Sequence, residues 1–401
     1  METMRLGYLV PQFPGQTHIF FWREIRHLER LGVRVSIVST RPPPRRLMAH
    51  SWTAEAMART TYLGAPRAGG TLRRLPGLPF WDADVRGGGG RLALELVACA
   101  DPAQRLLEVC SASGITHLHV HSCGRAALTA CLARRSGGPP YSLTLHGPLG
   151  DYGPGQRLKW RHAAFATIIT RRLVAEVAAE LGAALTRTVV QPMGVDTDVF
   201  ARPSPYRLVK PGEPLRLFSC GRLNRVKGHQ DLLVAVRLLL DRGRDVRLAI
   251  AGEDDDGGTG FRRELEARVA GLGLGDQVTL LGAVGESEVR RHMLEAHLFV
   301  LASWHEPLGV VYMEAMSCEV PTIGTDAGGV SELIEHGKSG WLVQPQDPPG
   351  LAAAVEAVAA DRSLALRLSQ GGRRRVVSDF RASNGARTIV EEIRRLGAAA
   401  A

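Results

Sequence analysis

A chain of 401 residues is too long for one ordinary hydrophobic core and calls for two domains. Its 45% hydrophobic and 22% charged content is that of a soluble globular protein, and 50 basic against 40 acidic residues leave a net charge of +10. That sign suits anionic ligands and peripheral contact with an anionic membrane, whereas no basic tract carries interleaved aromatics, which argues against nucleic acid as a partner.

The opening METMRLGYLVPQF has too short an apolar run for a signal peptide, and no stretch reaches the roughly 18 apolar residues of a membrane span. Strand and helix patterns then alternate, the mark of parallel sheets. Arg5–Val10 reads as a strand, Pro11–Thr17 as a Gly/Pro loop at its carboxyl end, His18–Leu31 as a helix and Val33–Ser39 as the second strand. Arg41–Arg91, with RPPPRR and RGGGGR, shows no period and is expected to be irregular and in part flexible. Regularity returns with strand His117–His121, a helix near Arg125–Arg134, and strands Tyr141–Gly147, Ala166–Thr170 and Arg187–Pro192. The Pro-rich Ala201–Pro214 is the expected interdomain linker.

The second half alternates more tightly, with strands at Leu215–Cys220, Val246–Ala251, Val278–Leu281, Leu298–Ala302, Pro321–Gly324 and Trp341–Val343. After Pro348 the pattern is helical. The six cysteines show no C-x-x-C spacing and read as reduced thiols of a cytoplasmic protein, with a location at the inner face of the plasma membrane as the peripheral variant. His117, His119 and His121 lie near Cys123 and Cys131, but imidazoles alternating along a strand are read as packing rather than as zinc ligands.

The segment HEPLGVVYMEAMSCEVPTIGTDAGGVSEL (His305–Leu333) carries the strongest chemical signal. Pro307 holds Glu306 extended at the end of a strand, and a helix is predicted over Leu308–Cys318. Glu306 therefore sits in a loop at a strand's carboxyl end, where open α/β sheets bind ligands. Leu308, Gly309 and Val310 would offer free backbone N–H groups to a phosphate, and Glu314 lies deeper on the same helix, suited to sugar hydroxyls. A second segment, LRLFSCGRLNRVKGHQDLLVAV (Leu215–Val236), reads strand, loop, helix, with Arg222 and Lys227 in the loop. Two cations facing a helix start would neutralise a diphosphate.

These two segments together resemble the signature of the retaining family 4 glycosyltransferases, which have the GT-B fold. The resemblance implies an α/β protein of two Rossmann-like parallel-sheet domains facing across a cleft. It implies that Arg222 and Lys227 hold the donor diphosphate with Leu308, Gly309 and Val310, that Glu314 binds the ribose, and that Glu306 binds the donor sugar. His146, after YSLTLH, matches the family's strand-end histidine near the reacting centre. Gly15, Gln16 and Thr17 occupy its first glycine-bearing loop, near substrate. VPQFPGQTHIFFWREIRHLERLG resembles the bacterial exopolysaccharide, colanic-acid-type branch, and QPMGVDTDVF the family's domain junction.

Expected domains are 1–200 on the acceptor side, a linker at 201–214, 215–380 on the donor side, and a C-terminal helix at 381–401 returning to the first domain. The expected reaction moves a sugar from a nucleoside-diphosphate sugar, UDP favoured, to the hydroxyl of a small-molecule, glycan or lipid-linked acceptor. No cofactor and no obligatory metal are expected, since two cations and a helix start do the electrostatic work. Front-face attack without an enzyme nucleophile is the implied route to retention, and double displacement through Glu306 stays open. A nucleotide-sugar epimerase or hydrolase of the same fold and a non-catalytic nucleotide-sugar binder are the rival readings. GLGLGD (Gly271–Asp276) imitates a dinucleotide fingerprint but follows a helix instead of a strand. EDDDGG (Glu253–Gly258) imitates a metal-binding acidic triplet but reads as a solvated loop tip.

Overall fold

Runs such as LGYLV and LFVLA are apolar at every position, so their strands need cover on both faces, which parallel sheets flanked by helices supply. The computed structural model describes residues 4–43, 50–254 and 260–400. Residues 4–43, 52–192 and 383–400 form one domain and 193–382 the other. The first contains β1 (Arg5–Gln12), β2 (Arg34–Arg41), β3 (Thr60–Tyr62), β4 (His117–His121), β5 (Tyr141–Leu145), β6 (Ala166–Ile168) and β7 (Thr188–Val190). The second contains β8 (Leu215–Cys220), β9 (Val246–Ala251), β10 (Val278–Gly282), β11 (Leu298–Val300), β12 (Thr322–Thr325) and β13 (Trp341–Val343).

The sheet orders are β3-β2-β1-β4-β5-β6-β7 and β10-β9-β8-β11-β12-β13, with every ladder parallel. Both are doubly wound in the Rossmann sense. The order reverses between β1 and β4 in one and between β8 and β11 in the other, and such a switch point is where ligands bind.

Arg41–Arg91 departs from the expectation of irregularity. Residues 44–49 lie outside those described, but the remainder carries helices Thr53–Ala58, Ala68–Arg74 and Ala83–Gly87, and β3 extends the sheet. Trp52 anchors this segment by stacking on Trp22, with centroids 5.5 Å apart and planes at 11°, and on Phe13 at 5.9 Å. A helix absent from the sequence reading, Gly89–Ser113, follows and buries Leu92, Leu96, Cys99, Ala103, Leu106 and Cys110. Helices Gln156–Arg161 and Arg171–Leu181 were likewise not anticipated.

Residues 201–214 form neither helix nor strand and are fastened to the second domain. There Arg202 donates to the carbonyls of Cys318 (2.7 Å) and Leu294 (3.1 Å), and the Tyr206 hydroxyl donates to His297 (2.7 Å). The helix Ala382–Ala400 belongs to the first domain's core through Ala386, Ile389 and Val390. Thr388 donates to Gln191 at 2.7 Å, and Glu392 takes a bidentate pair from Arg187 at 2.7 and 2.9 Å. Among the described residues no helix is long and apolar enough to cross a membrane. All six cysteines are free thiols.

Candidate active site

In the second domain three loops leave the carboxyl ends of β8, β11 and β12 and are tied together. After β8, Asn224 accepts from the Lys227 amide at 3.1 Å and closes a single 3-10 turn, Arg225–Lys227. Gly228 follows with φ +68°, and a Cβ there would strike the Ala302 carbonyl just beyond β11. Only glycine combines that backbone with that approach. The loop after β11 returns the contact: the Trp304 amide donates to Val226 at 2.7 Å and its indole to Asp231 at 2.5 Å.

Glu306 and Lys227 meet at this junction. The Glu306 side chain is 8% exposed, forms an ion pair with the Lys227 ammonium, and accepts from Ser303 Oγ at 3.3 Å. Its carbonyl accepts from Gly329 at 2.9 Å, and Gly328, at φ +65°, leaves no room for a Cβ against that same carbonyl. The backbone of Glu306 is thus held by the loop after β12 and its carboxylate by the loop after β8. The charge pair spans the switch point between β8 and β11.

The helix behind Glu306 runs Val310–Ser317, not from Leu308. Gly309, at φ +87°, is its N-cap, because a left-handed residue cannot be part of the first helical turn. Leu308 precedes it as a buried anchor, 1% exposed. Tyr312 donates its amide to Gly309 at 3.1 Å and its hydroxyl to Leu301 at 2.9 Å. By helix geometry the amides of Val310 and Val311 then have no intrahelical acceptor. The free helix-start amides are therefore those of Val310 and Val311 rather than a set beginning at Leu308, with Gly309 as the N-cap beside them. Glu314 is buried on this helix beside Cys220, whose thiol is pushed up to about 12 by burial and then by that carboxylate. Arg222 is exposed in the loop after β8, and Arg225 in the same loop pairs with Glu264 at 2.8 Å.

The first domain holds His146 and the Gly15–Thr17 turn. Gly15 accepts from the His18 amide at 3.0 Å, which turns the chain from β1 into the helix Ile19–Arg30; Gly15 is buried and Thr17 exposed. His146 follows β5 directly. Burial, and next the neighbouring His121, push it down to about 3.

Behind it runs a polar ladder inside the sheet. His117, His119 and His121 share one face of β4, opposite Ser142 and Thr144 of β5, with Thr167 of β6 beyond. His119 places Nδ1 2.8 Å from the Ser142 hydroxyl and Nε2 2.8 Å from that of Thr144, which meets the Thr167 hydroxyl at 2.7 Å. His117 reaches Ser142 at 2.9 Å.

Glu24, His119 and His121 could supply three metal ligand atoms within 4.8 Å of one another. Both His119 nitrogens already face hydroxyls, however, so His119 is satisfied by hydrogen bonds, while His121 Nε2 approaches Glu24 without a completed one. The acidic tip Glu253–Gly258 is described only as far as Asp254; Glu253 there pairs with Arg262 at 2.8 Å. The glycine run at Gly271 does follow the helix Phe261–Gly271 and precede β10. A buried lysine escaped sequence reading: Lys159 donates to the carbonyls of Cys123 (2.6 Å) and Tyr152 (3.4 Å), and burial lowers it to about 8.

Two doubly wound domains, one with a charged switch point beside a helix start, define the GT-B class. Over 98% of this chain and 100% of the other, the fold follows HepE of Anabaena, solved with UDP, at TM-score 0.77 and 19% identity. Residues 19–199 match the family described as Glycosyltransferase Family 4, and residues 204–375 that described as Glycosyl transferases group 1. The 2-deoxystreptamine glucosyltransferase of Streptomyces kanamyceticus is 30% identical over 66% of this chain and 73% of its own length. WcaL of Escherichia coli, named as a colanic acid biosynthesis glycosyltransferase, is 27% identical over 88% and 90%. Of the D-inositol 3-phosphate glycosyltransferase of Geodermatophilus obscurus, 36% identical, the chain spans about half the length (48%). The chain belongs to the family 4 glycosyltransferases.

Proposed function

We infer that the protein transfers a sugar from a nucleoside-diphosphate sugar, UDP favoured, to an acceptor hydroxyl with retention at the anomeric carbon and no obligatory metal. The observation that carries this reading is the Lys227–Glu306 pair at the β8/β11 switch point, beside the start of the helix Val310–Ser317. One member suits a diphosphate and the other a sugar, and the helix start adds a second source of positive potential.

In this reading Lys227 exchanges Glu306 for the diphosphate, joined by Arg222 and the amides near Gly309 and Val310. Glu314 holds the ribose hydroxyls. Glu306 turns to the donor sugar, where its charge stabilises the positive character that develops as the bond to the diphosphate breaks. The acceptor oxygen bonds to the anomeric carbon from the face the diphosphate leaves, and its proton passes to the departing phosphate oxygen. His146 is assigned to the sugar by the family resemblance alone. The name of HepE's complex with UDP and glucose and that of WcaL support a UDP-sugar donor and an exopolysaccharide-type acceptor. The acceptor classes are a polysaccharide, a glycolipid or a natural-product glycoside.

A thermal-stability scan with UDP, GDP and dTDP tests the donor, since ligand at about 100 times its dissociation constant adds roughly 2.7 kcal/mol. Transfer is then measured with the matching sugar nucleotide, with and without acceptor, and in EDTA. UDP stabilisation and acceptor-dependent product in EDTA are expected. Activity restored only by magnesium or manganese overturns the metal-independent route, and rearranged or hydrolysed donor without acceptor makes the enzyme an epimerase or hydrolase.

A further inference from the structure

Behind His146 the first domain places a chain of three polar side chains that the transfer mechanism above does not use. Glu24, on the helix Ile19–Arg30, accepts a hydrogen bond at Oε2 from the Tyr8 hydroxyl at 2.7 Å. His121 Nε2 faces the same oxygen at 2.9 Å. The ring N–H is out of line with the carboxylate, and Nε2 has no other hydrogen-bond partner, so Glu24 is the acceptor nearest to it. His121 Nδ1 lies 3.1 Å from His146 Nε2, with the two rings stacked at 19° and 5.3 Å. Phe20 and Phe21 flank His146, with centroids at 5.4 and 5.7 Å. The chain ends at His146 Nδ1, which is shielded from water and has no hydrogen-bond partner.

A neutral imidazole carries one N–H, so each link fixes the next. Burial keeps both rings neutral by pushing them down to about 3. Burial raises Glu24, while the neighbouring His119 and the Tyr8 hydroxyl favour its charged form; as a carboxylate it can only accept. His121 must then donate from Nε2, which leaves its Nδ1 as an acceptor, and His146 must donate from Nε2 in turn. Its Nδ1 is left with a lone pair and no donor.

Resting on the glycosyltransferase reading, we propose that Glu24, acting through His121, fixes the tautomer and orientation of His146 so that its Nδ1 accepts a hydrogen bond from a substrate hydroxyl. Glu24 and His121 are positioning residues; His146 is the group that touches substrate. The C-terminal helix takes part. A Cβ on Gly385 would lie 2.5 Å from Glu24 Oε1, so the absence of a side chain there is what lets the carboxylate stand under His121.

Nitrogen-15 NMR of the histidine rings in the full-length protein reads the tautomers directly, with His146→Gln and His121→Gln for assignment. A pyridine-type Nδ1 and a protonated Nε2 are expected at both positions. The opposite tautomer at His146 overturns the proposal, because a protonated Glu24 would reverse every bond in the chain. Joint displacement of the His119 and His121 signals by one equivalent of zinc, with turnover rising, overturns it in favour of a metal site. Glu24→Gln is expected to mix the His146 tautomers and to lower kcat roughly 10- to 100-fold, the usual cost of losing an orienting partner. The donor KM should stay within about twofold, since the groups proposed to bind the nucleotide, Arg222, Lys227 and Glu314, lie in the other domain. Gly385→Ala, which crowds Glu24 without removing a polar atom, should show a smaller loss of the same kind. Unchanged kcat in Glu24→Gln removes the positioning role even if the tautomer is as proposed. The wild-type spectrum decides the matter if a variant fails to fold, and it does so whether or not the donor scan finds a substrate.

Discussion

The two domains wind their sheets in the same order and put different chemistry at the same place. In the second, the β8/β11 switch point is spanned by a charge pair, Lys227 with Glu306. In the first, the β1/β4 switch point is spanned by Glu24 and His121, one carboxylate against a neutral ring. The first arrangement can exchange partners with an anion; the second can only orient. In the proposed function the shared winding of a seven- and a six-stranded sheet thus separates a site for an anion from one that orients a hydroxyl.

The largest expected effect concerns acid. His117, His121 and His146 are lowered to about 3 and His119 is lowered well below its ordinary value by burial, whereas the second domain has His229 and His297 at about 4. Below the unfolded value near 6.5 the unfolded chain binds more protons, so stability falls as pH drops. At about pH 5 each such histidine costs roughly 2 kcal/mol. Three such histidines against two separate the domains by roughly 2 kcal/mol, and His119 and His162, both lowered by burial, widen the gap. Glu24, raised by burial, opposes this in part, since it gains protons on folding. Hydrogen exchange read by mass spectrometry should show the first domain opening first on acidification. Earlier opening of the second would refute the contrast.

Next comes Glu306→Gln. Losing its charge should depress transfer by about 100- to 1,000-fold. UDP affinity should be unchanged or tighter, because Lys227 is released. Calorimetry with UDP alongside initial rates checks this, and a parallel loss of UDP binding would assign Glu306 to the nucleotide. Lys227→Ala should cost about 1.5–3 kcal/mol of charge-assisted bonding to the donor, roughly 10- to 100-fold. It should also lower the melting temperature, because Glu306 is left buried without its cation. Adding Glu306→Gln to that variant should recover stability without recovering donor binding.

The smallest effect is alkaline. Lys159 is lowered to about 8, so between there and its unfolded value near 10.4 the unfolded chain holds the extra proton and stability rises with pH. About 1 kcal/mol should be gained between pH 7 and 9, and Lys159→Met should abolish the rise in denaturant titrations.

Fold class and most strands were legible because parallel sheets are written as short apolar runs between helices. The helix Gly89–Ser113 was missed although Leu92, Leu96, Cys99, Ala103, Leu106 and Cys110 keep a helical spacing. The glycine run before it was read as irregular chain, and Pro102 within it interrupts the helical period. The Lys227–Glu306 pair could not be read, since its members stand 79 positions apart and only the sheet order brings them together. Alternating histidines on β4 signalled a buried face, but their hydroxyl partners appear only once β5 and β6 are placed in register. The start of the helix Val310–Ser317 was misplaced because Pro307 marks the turn, while the left-handed Gly309 sets where helical geometry begins.

The helix Ala382–Ala400 follows the second domain in sequence yet completes the core of the first. On the ribosome the usual order, in which the N-terminal domain folds first as a unit, is therefore inverted. The first domain is synthesised earliest but cannot be finished until the second has been made. Until then Glu24 has no Gly385 above it, and the apolar patch awaiting Ala386, Ile389 and Val390 stands open. A polypeptide cut after Pro192 would keep that patch exposed, so the two domains are distinct as cores but interlocked as translation products.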